Sequence, residues 1–263
     1  MNSVIEKAAD KLPETRRRIE LLDFLRGVAM IYVKLYHLLY DVVEFLGADV
    51  PFWGSAWFEG VHLFFLIVLM SVSGVCTAFS RSSIKRGAAL LLMGSALTIF
   101  TDIFLQGQVI VFGILTYFGV MMIIGGFLRP LLDKMNITAA LIMAAVCIIL
   151  FIMLRDFPHG IVHFLGVHYI SLPQNTHYSY GIGIMPQKFY SADYFPLIPY
   201  GFIFLAGAAV AKPVKENMLP KAVYNFPKVP VLNFIGRHSL AFYIVHQPLF
   251  VAIVEIILLF KRS

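Results

Sequence analysis

The stretch RIELLDFLRGVAMIYVKLYHLLYD, residues Arg18 to Asp41, decides how the chain is read. Its apolar residues run long enough to cross a ~30 Å hydrocarbon core, which takes about 20 residues of helix. Yet it also carries Asp23, Arg26, Lys34, His37 and Asp41. At about 100° per residue these five fall on one side of a helix. A charge facing lipid costs ~2.5 kcal/mol or more, so an aligned set must face protein or a water-filled cavity. The helix therefore predicts a polar seam, and the seam predicts a site.

The rest of the chain agrees on the solvent. Of its 263 residues 59% are hydrophobic and 14% charged, with 24 Phe and a mean hydropathy of +0.81. Such a composition belongs to an integral membrane protein. Seven apolar windows are long enough to span: Ile19 to Leu46, Phe58 to Phe79, Arg86 to Leu105, Val109 to Leu128, Ile137 to Leu154, Tyr194 to Ala211 and Ser239 to Phe260. The expected fold class is thus all-α, a polytopic transmembrane helix bundle of about seven spans. Residues 1–18 read as a polar N-terminal segment and 19–263 as one transmembrane domain. The first run lacks a small-residue cleavage site and is expected to stay as the first helix.

Orientation follows from the basic residues. Loops on the N-terminal side hold fifteen of the twenty-one Lys and Arg, among them Arg81, Lys85, Arg86, Arg129, Lys134, Lys212, Lys215 and Arg237. The positive-inside rule then places the N-terminus in the cytoplasm and the C-terminus outside. The expected location is a bacterial cytoplasmic membrane. Loop bias accounts for the net charge of +6, so no nucleic-acid partner is implied. Cys76 and Cys147 lie in apolar runs and form neither a disulfide framework nor a metal spacing. His159 and His163 are four apart but lack a third ligand, and no metal is expected. The segment from Arg155 to Asp193 reads as an interfacial cap. The proline-studded stretch from Lys212 to His238 reads as a surface linker.

On the seam, Arg26 and His37 share a face about three turns apart, or ~16 Å along the axis. A planar guanidinium suits a phosphate, and an imidazole suits taking a proton from a hydroxyl or amine. Asp41, one turn beyond His37, is placed to orient the imidazole. The arrangement would join a phosphate-bearing donor on one side to an acceptor on the other. Two other readings use the same residues. Intramembrane Asp, Lys and His also line transporters and proton-coupled channels, and His37 with His246 could be read as haem ligands. Asp193 is open to an N-capping role or an acceptor-binding one, and His246 and Gln247 to a structural hydrogen bond or donor binding.

The Arg18 to Asp41 string resembles the opening helix of the heparan-α-glucosaminide N-acetyltransferase-like family of membrane acyltransferases. Further stretches resemble that family in order: LMSVSGVCTAFSR (Leu69 to Arg81), VIVFGILTYFG (Val109 to Gly119), SADYFPLIPYGFIFLAGAAVA (Ser191 to Ala211) and LNFIGRHSLAFYIVHQPL (Leu232 to Leu249). The resemblance implies acetyl transfer from cytosolic acetyl-CoA to a sugar amine or hydroxyl across the membrane. It maps onto Asp23, Arg26, Gly27, His37, Asp41, Gly236, Arg237, Ser239, His246, Gln247 and Pro248. On this reading His37 is the base with Asp41 beside it. Asp23, Arg26, Lys34, Arg81, Lys85, Arg86, Arg237, His246 and Gln247 serve the donor. The lysosomal branch places its working histidine in the loop after the first helix, where this sequence has none between Leu38 and Val61. His62 is therefore held in reserve as a base and counted with Asp102 and Asp193 at the acceptor. A homodimer through Gly87, Ala88, Ala89 and Gly94 is the expected assembly.

Overall fold

The computed structural model describes residues 18–44, 46–104, 108–164, 167–171, 179–185 and 189–244. It is all-α apart from one small hairpin. Helices run α1 (Glu20–Glu44), α2 (Ala56–Phe79), α3 (Ser83–Phe104), α4 (Ile114–Lys134), α5 (Ile137–Met153), α6 (Leu197–Lys215), α7 (Lys221–Tyr224) and α8 (Pro230–Arg237). Residues 239–244 are helical as well. Helices α2 to α6 are long and apolar enough to cross a membrane, α5 by counting the short 3-10 turn that extends it to His159. These match five of the seven expected spans. The first expected span is a helix of the right length, α1, whose charges set it apart. Most of the seventh lies outside the described residues.

The chain divides into two compact units, residues 1–69 with 215–263, and residues 70–214. In the first, α1 and α8 meet backbone to backbone. A Cβ added at Gly27 would overlap the Leu232 carbonyl, and one at Gly236 would overlap the Asp23 carbonyl. Pro230 opens α8 at a position where its missing N–H is no loss. Asn233, fully buried, accepts from the Val229 N–H at 2.8 Å and donates Nδ2 to the Glu20 carbonyl at 2.8 Å. The Phe226 ring lies 4.9 Å from that of Phe24. The expected surface linker from Lys212 to His238 is therefore corrected in part. The amphipathic LNFIGR turns bury Asn233 and Gly236 against α1, a pattern masked in the sequence by the surrounding prolines.

The second unit is tied by the same device. Gly207 of α6 abuts the Ser71 carbonyl of α2, and Gly74 abuts the Phe204 carbonyl. Gly87 and Gly94 of α3 face Gly119 and Thr116 of α4. Those two glycines, expected to carry a dimer face, are thus used within the chain. Tyr117, fully buried on α4, donates to the Tyr200 carbonyl of α6 at 2.8 Å. Ala144 and Cys147 of α5 pack on Ala206 and Ala209 of α6. The outward faces of α3 and α5 expose Leu92, Ile99, Ile103, Ile142, Ile149 and Ile152, as a lipid-facing surface requires.

Helix α4 starts later than the Val109 to Leu128 window and runs further. Residues 109–113 are instead held against the chain before α6: Val111 N–H donates to Ser191 Oγ at 2.8 Å and Ala192 N–H to the Val109 carbonyl at 3.0 Å. Between α5 and α6, strands β1 (Ile161–Phe164) and β2 (Val167–Ser171) form an antiparallel hairpin pairing His163 with His168. His163 Nε2 meets Asp156 Oδ2 at 2.5 Å. The His159 and His163 spacing is thus not helical, and no cluster of three metal ligands exists among the described residues.

The glycine contacts give a direct expectation. Gly236→Ala should lose ~1–3 kcal/mol or more of stability by forcing α8 off α1. Gly60→Ala, where a Cβ meets nothing, should be neutral or gain up to ~1 kcal/mol from helix propensity. Thermal unfolding of the two variants in detergent measures the difference.

Candidate active site

Helix α1 begins in a dense set of charges. Asp23, 4% exposed, accepts from Arg18 Nε at 2.6 Å and from Arg237 Nε at 3.1 Å. Arg237 Nη2 donates to both Glu20 oxygens at 2.7 Å, and Asn233 Nδ2 reaches Glu20 Oε2 at 2.7 Å. Two acids near a helix N-terminus also suit its macrodipole. Two of the residues assigned from sequence to the donor, Asp23 and Arg237, are therefore engaged with each other. Arg18, Glu20 and Asn233 complete that network and were missed. The signal for Asn233 was its place one turn before Gly236 and Arg237.

Arg26 differs from its neighbours. It is half-buried, and its guanidinium has no hydrogen bond or ion pair among the described residues. A half-buried cation carrying five N–H donors without a carboxylate is suited to an anion from outside. Two turns on, Lys34 Nζ sits 4.1 Å from the centre of the Phe242 ring, a cation–π contact. His37 follows on the same seam, and Asp41, 2% exposed, closes it. Asp41 Oδ2 is buried with no hydrogen-bond partner among the described residues.

The other side of α1 carries tyrosines. Tyr36 stacks on His62 of α2 with ring centres 3.7 Å apart, and its edge meets His37 at 6.2 Å. Tyr32 stacks on Phe65 at 4.2 Å. Trp53 and Phe58 flank Tyr36 at 5.4 and 5.7 Å. His62, called from sequence, thus comes beside His37. The tyrosines at 32, 36 and 40 were missed, because their i, i+4 spacing looks like ordinary packing.

Other expected site residues have different surroundings. Asp193 Oδ2 accepts from the Ile114 N–H at 2.9 Å, so it caps α4 from 79 residues away. A Cβ at Gly113 would come 2.6 Å from that oxygen. Asp193 and Asp102 both belong to the second unit. Asp102 is exposed in the last turn of α3, beside exposed Ile103 and Phe104. Arg81, Lys85 and Arg86 are exposed just before and in the first turn of α3. His246 and Gln247 lie outside the described residues.

An all-α membrane protein whose first helix lines up Arg26, Lys34, His37 and Asp41 on one face sets the class. The chain belongs to the family described as heparan-alpha-glucosaminide N-acetyltransferase, catalytic, whose model matches residues 18–248. That range holds the whole of α1 and every described site residue. Comparison with curated proteins and with solved structures gave no match.

The two arginines should separate by stability. Arg237→Gln removes three charge-assisted hydrogen bonds and should cost ~2 kcal/mol or more. Arg26→Gln breaks none among the described residues and should stay within ~0.5 kcal/mol of wild type. Chemical or thermal unfolding of both in detergent checks this.

Proposed function

We propose that the protein transfers an acetyl group from acetyl-CoA on the cytoplasmic side to a sugar amine or hydroxyl on the external side. The observation that carries this reading is Arg26, without a partner among the described residues, on the same helix face as His37 and inside the range matched by an acetyltransferase family. In this reading the N-terminus is cytoplasmic, following the basic loops. Arg26 grips a donor phosphate, and the pantetheine arm runs along the seam past Lys34.

His37 acts as general base. The acceptor oxygen or nitrogen attacks the thioester carbonyl carbon while its proton passes to the imidazole. The tetrahedral intermediate collapses, the C–S bond breaks and CoA leaves as thiolate, which needs little acid assistance. Asp41, one turn away with an unsatisfied buried oxygen, stabilises the imidazolium.

Titration of acetyl-CoA into detergent-purified protein tests the donor half. Wild type should bind in the micromolar range, and Arg26→Ala should weaken binding at least tenfold. His37→Ala should keep donor binding and lose at least a hundredfold in transfer. Failure of wild type to bind acetyl-CoA would move the seam to a transporter or proton-coupled channel.

A further inference from the structure

Buried polar atoms without a partner are rare in folded proteins, and each calls for an explanation. Among the described residues there are three: Tyr32 Oη, His62 Nδ1 and Asp41 Oδ2. All belong to α1 and the start of α2. Asp41 lies one turn from the proposed base. The other two lie together, with ring centres 6.1 Å apart.

Neither ring is oriented by a hydrogen bond at these atoms. Tyr32 is held by its stack on Phe65 and His62 by its stack on Tyr36. Stacking fixes the planes, while Oη and Nδ1 stay buried and without a hydrogen-bond partner among the described residues. A phenol hydroxyl both donates and accepts, and an imidazole nitrogen does one or the other. Together they match a group that itself donates and accepts, a hydroxyl or an amine. The surrounding charge narrows the choice. Glu59, exposed in the first turn of α2, acts on both Tyr32 and Tyr36, and no cation pairs with it among the described residues. Its negative charge disfavours a phosphate or carboxylate there relative to a neutral group. His37 is the titratable group that acts on His62, so the pair adjoins the proposed base.

We infer that Tyr32 and His62 form the acceptor subsite, a two-point grip on a hydroxyl or amine of an uncharged or amine-bearing sugar that excludes anionic ones. The inference rests on the acyl-transfer reading for its purpose but not for its geometry. Tyr32→Phe is the informative variant, because it keeps the stack on Phe65 and deletes only the hydroxyl.

Binding of D-glucosamine and of D-glucuronate to detergent-purified wild type, Tyr32→Phe and His62→Gln can be followed by saturation-transfer NMR. Acetyl-CoA titration is run in parallel. The expected result is glucosamine binding weakened about tenfold by each variant, the value of one lost hydrogen bond, with acetyl-CoA binding unchanged. Glucuronate should bind far more weakly than glucosamine. Undiminished glucosamine binding in Tyr32→Phe, together with equal or higher thermal stability, would show a merely buried hydroxyl and overturn the subsite. Equal binding of the two sugars would overturn the charge selection, and absence of glucosamine binding by wild type would overturn the site. Glucosamine binding without acetyl-CoA binding would leave the subsite standing and remove acyl transfer.

Discussion

In the first unit everything hangs on how closely α8 approaches α1. Carbonyls of Leu232 and Asp23 occupy the space that side chains at Gly27 and Gly236 would need. That approach brings Arg237 and Asn233 onto Glu20 and Asp23, so a packing contact and an ionic network share one geometry. Neither would persist alone. Without Arg237 the buried Asp23 carboxylate loses a cation, and two helix backbones in contact need something to hold register. With the network saturated, the next cation along the helix, Arg26, is left over.

This division of labour shapes the seam. Its first turn is structural, its middle carries Arg26 and Lys34, and its far part carries His37 and Asp41. Opposite them, the tyrosine side of α1 is fixed by rings on α2 instead of by charges. In the proposed acyl transfer, the one helix would thus offer one face to an anionic donor and the other to a neutral hydroxyl or amine, with His37 as the base between them.

Much of this was legible in the residues. The apolar windows predicted five helices to within a few residues, because lipid imposes length and leaves composition little freedom. The seam on α1 was legible because charges are so costly in such a segment that their alignment carries meaning. What was not legible depended on long-range partners. Asp193 looked like a cap for its own helix or a ligand, and it caps α4 instead. Arg237 looked free, and its carboxylates lie more than two hundred residues earlier. Gly87 and Gly94 looked like an outward face, since a sequence of small residues does not say which neighbour they approach. The β1–β2 hairpin escaped because short strands among Gly, Pro and His carry little alternation.

Lys34 rests against an aromatic ring and not against an acid. A cation–π contact is worth ~0.5–2 kcal/mol, and releasing it strands no buried anion. Lys34 can therefore swing along the seam at small cost, a tethered counter-ion able to follow a migrating negative charge. A carboxylate partner in place of Phe242 would have pinned it.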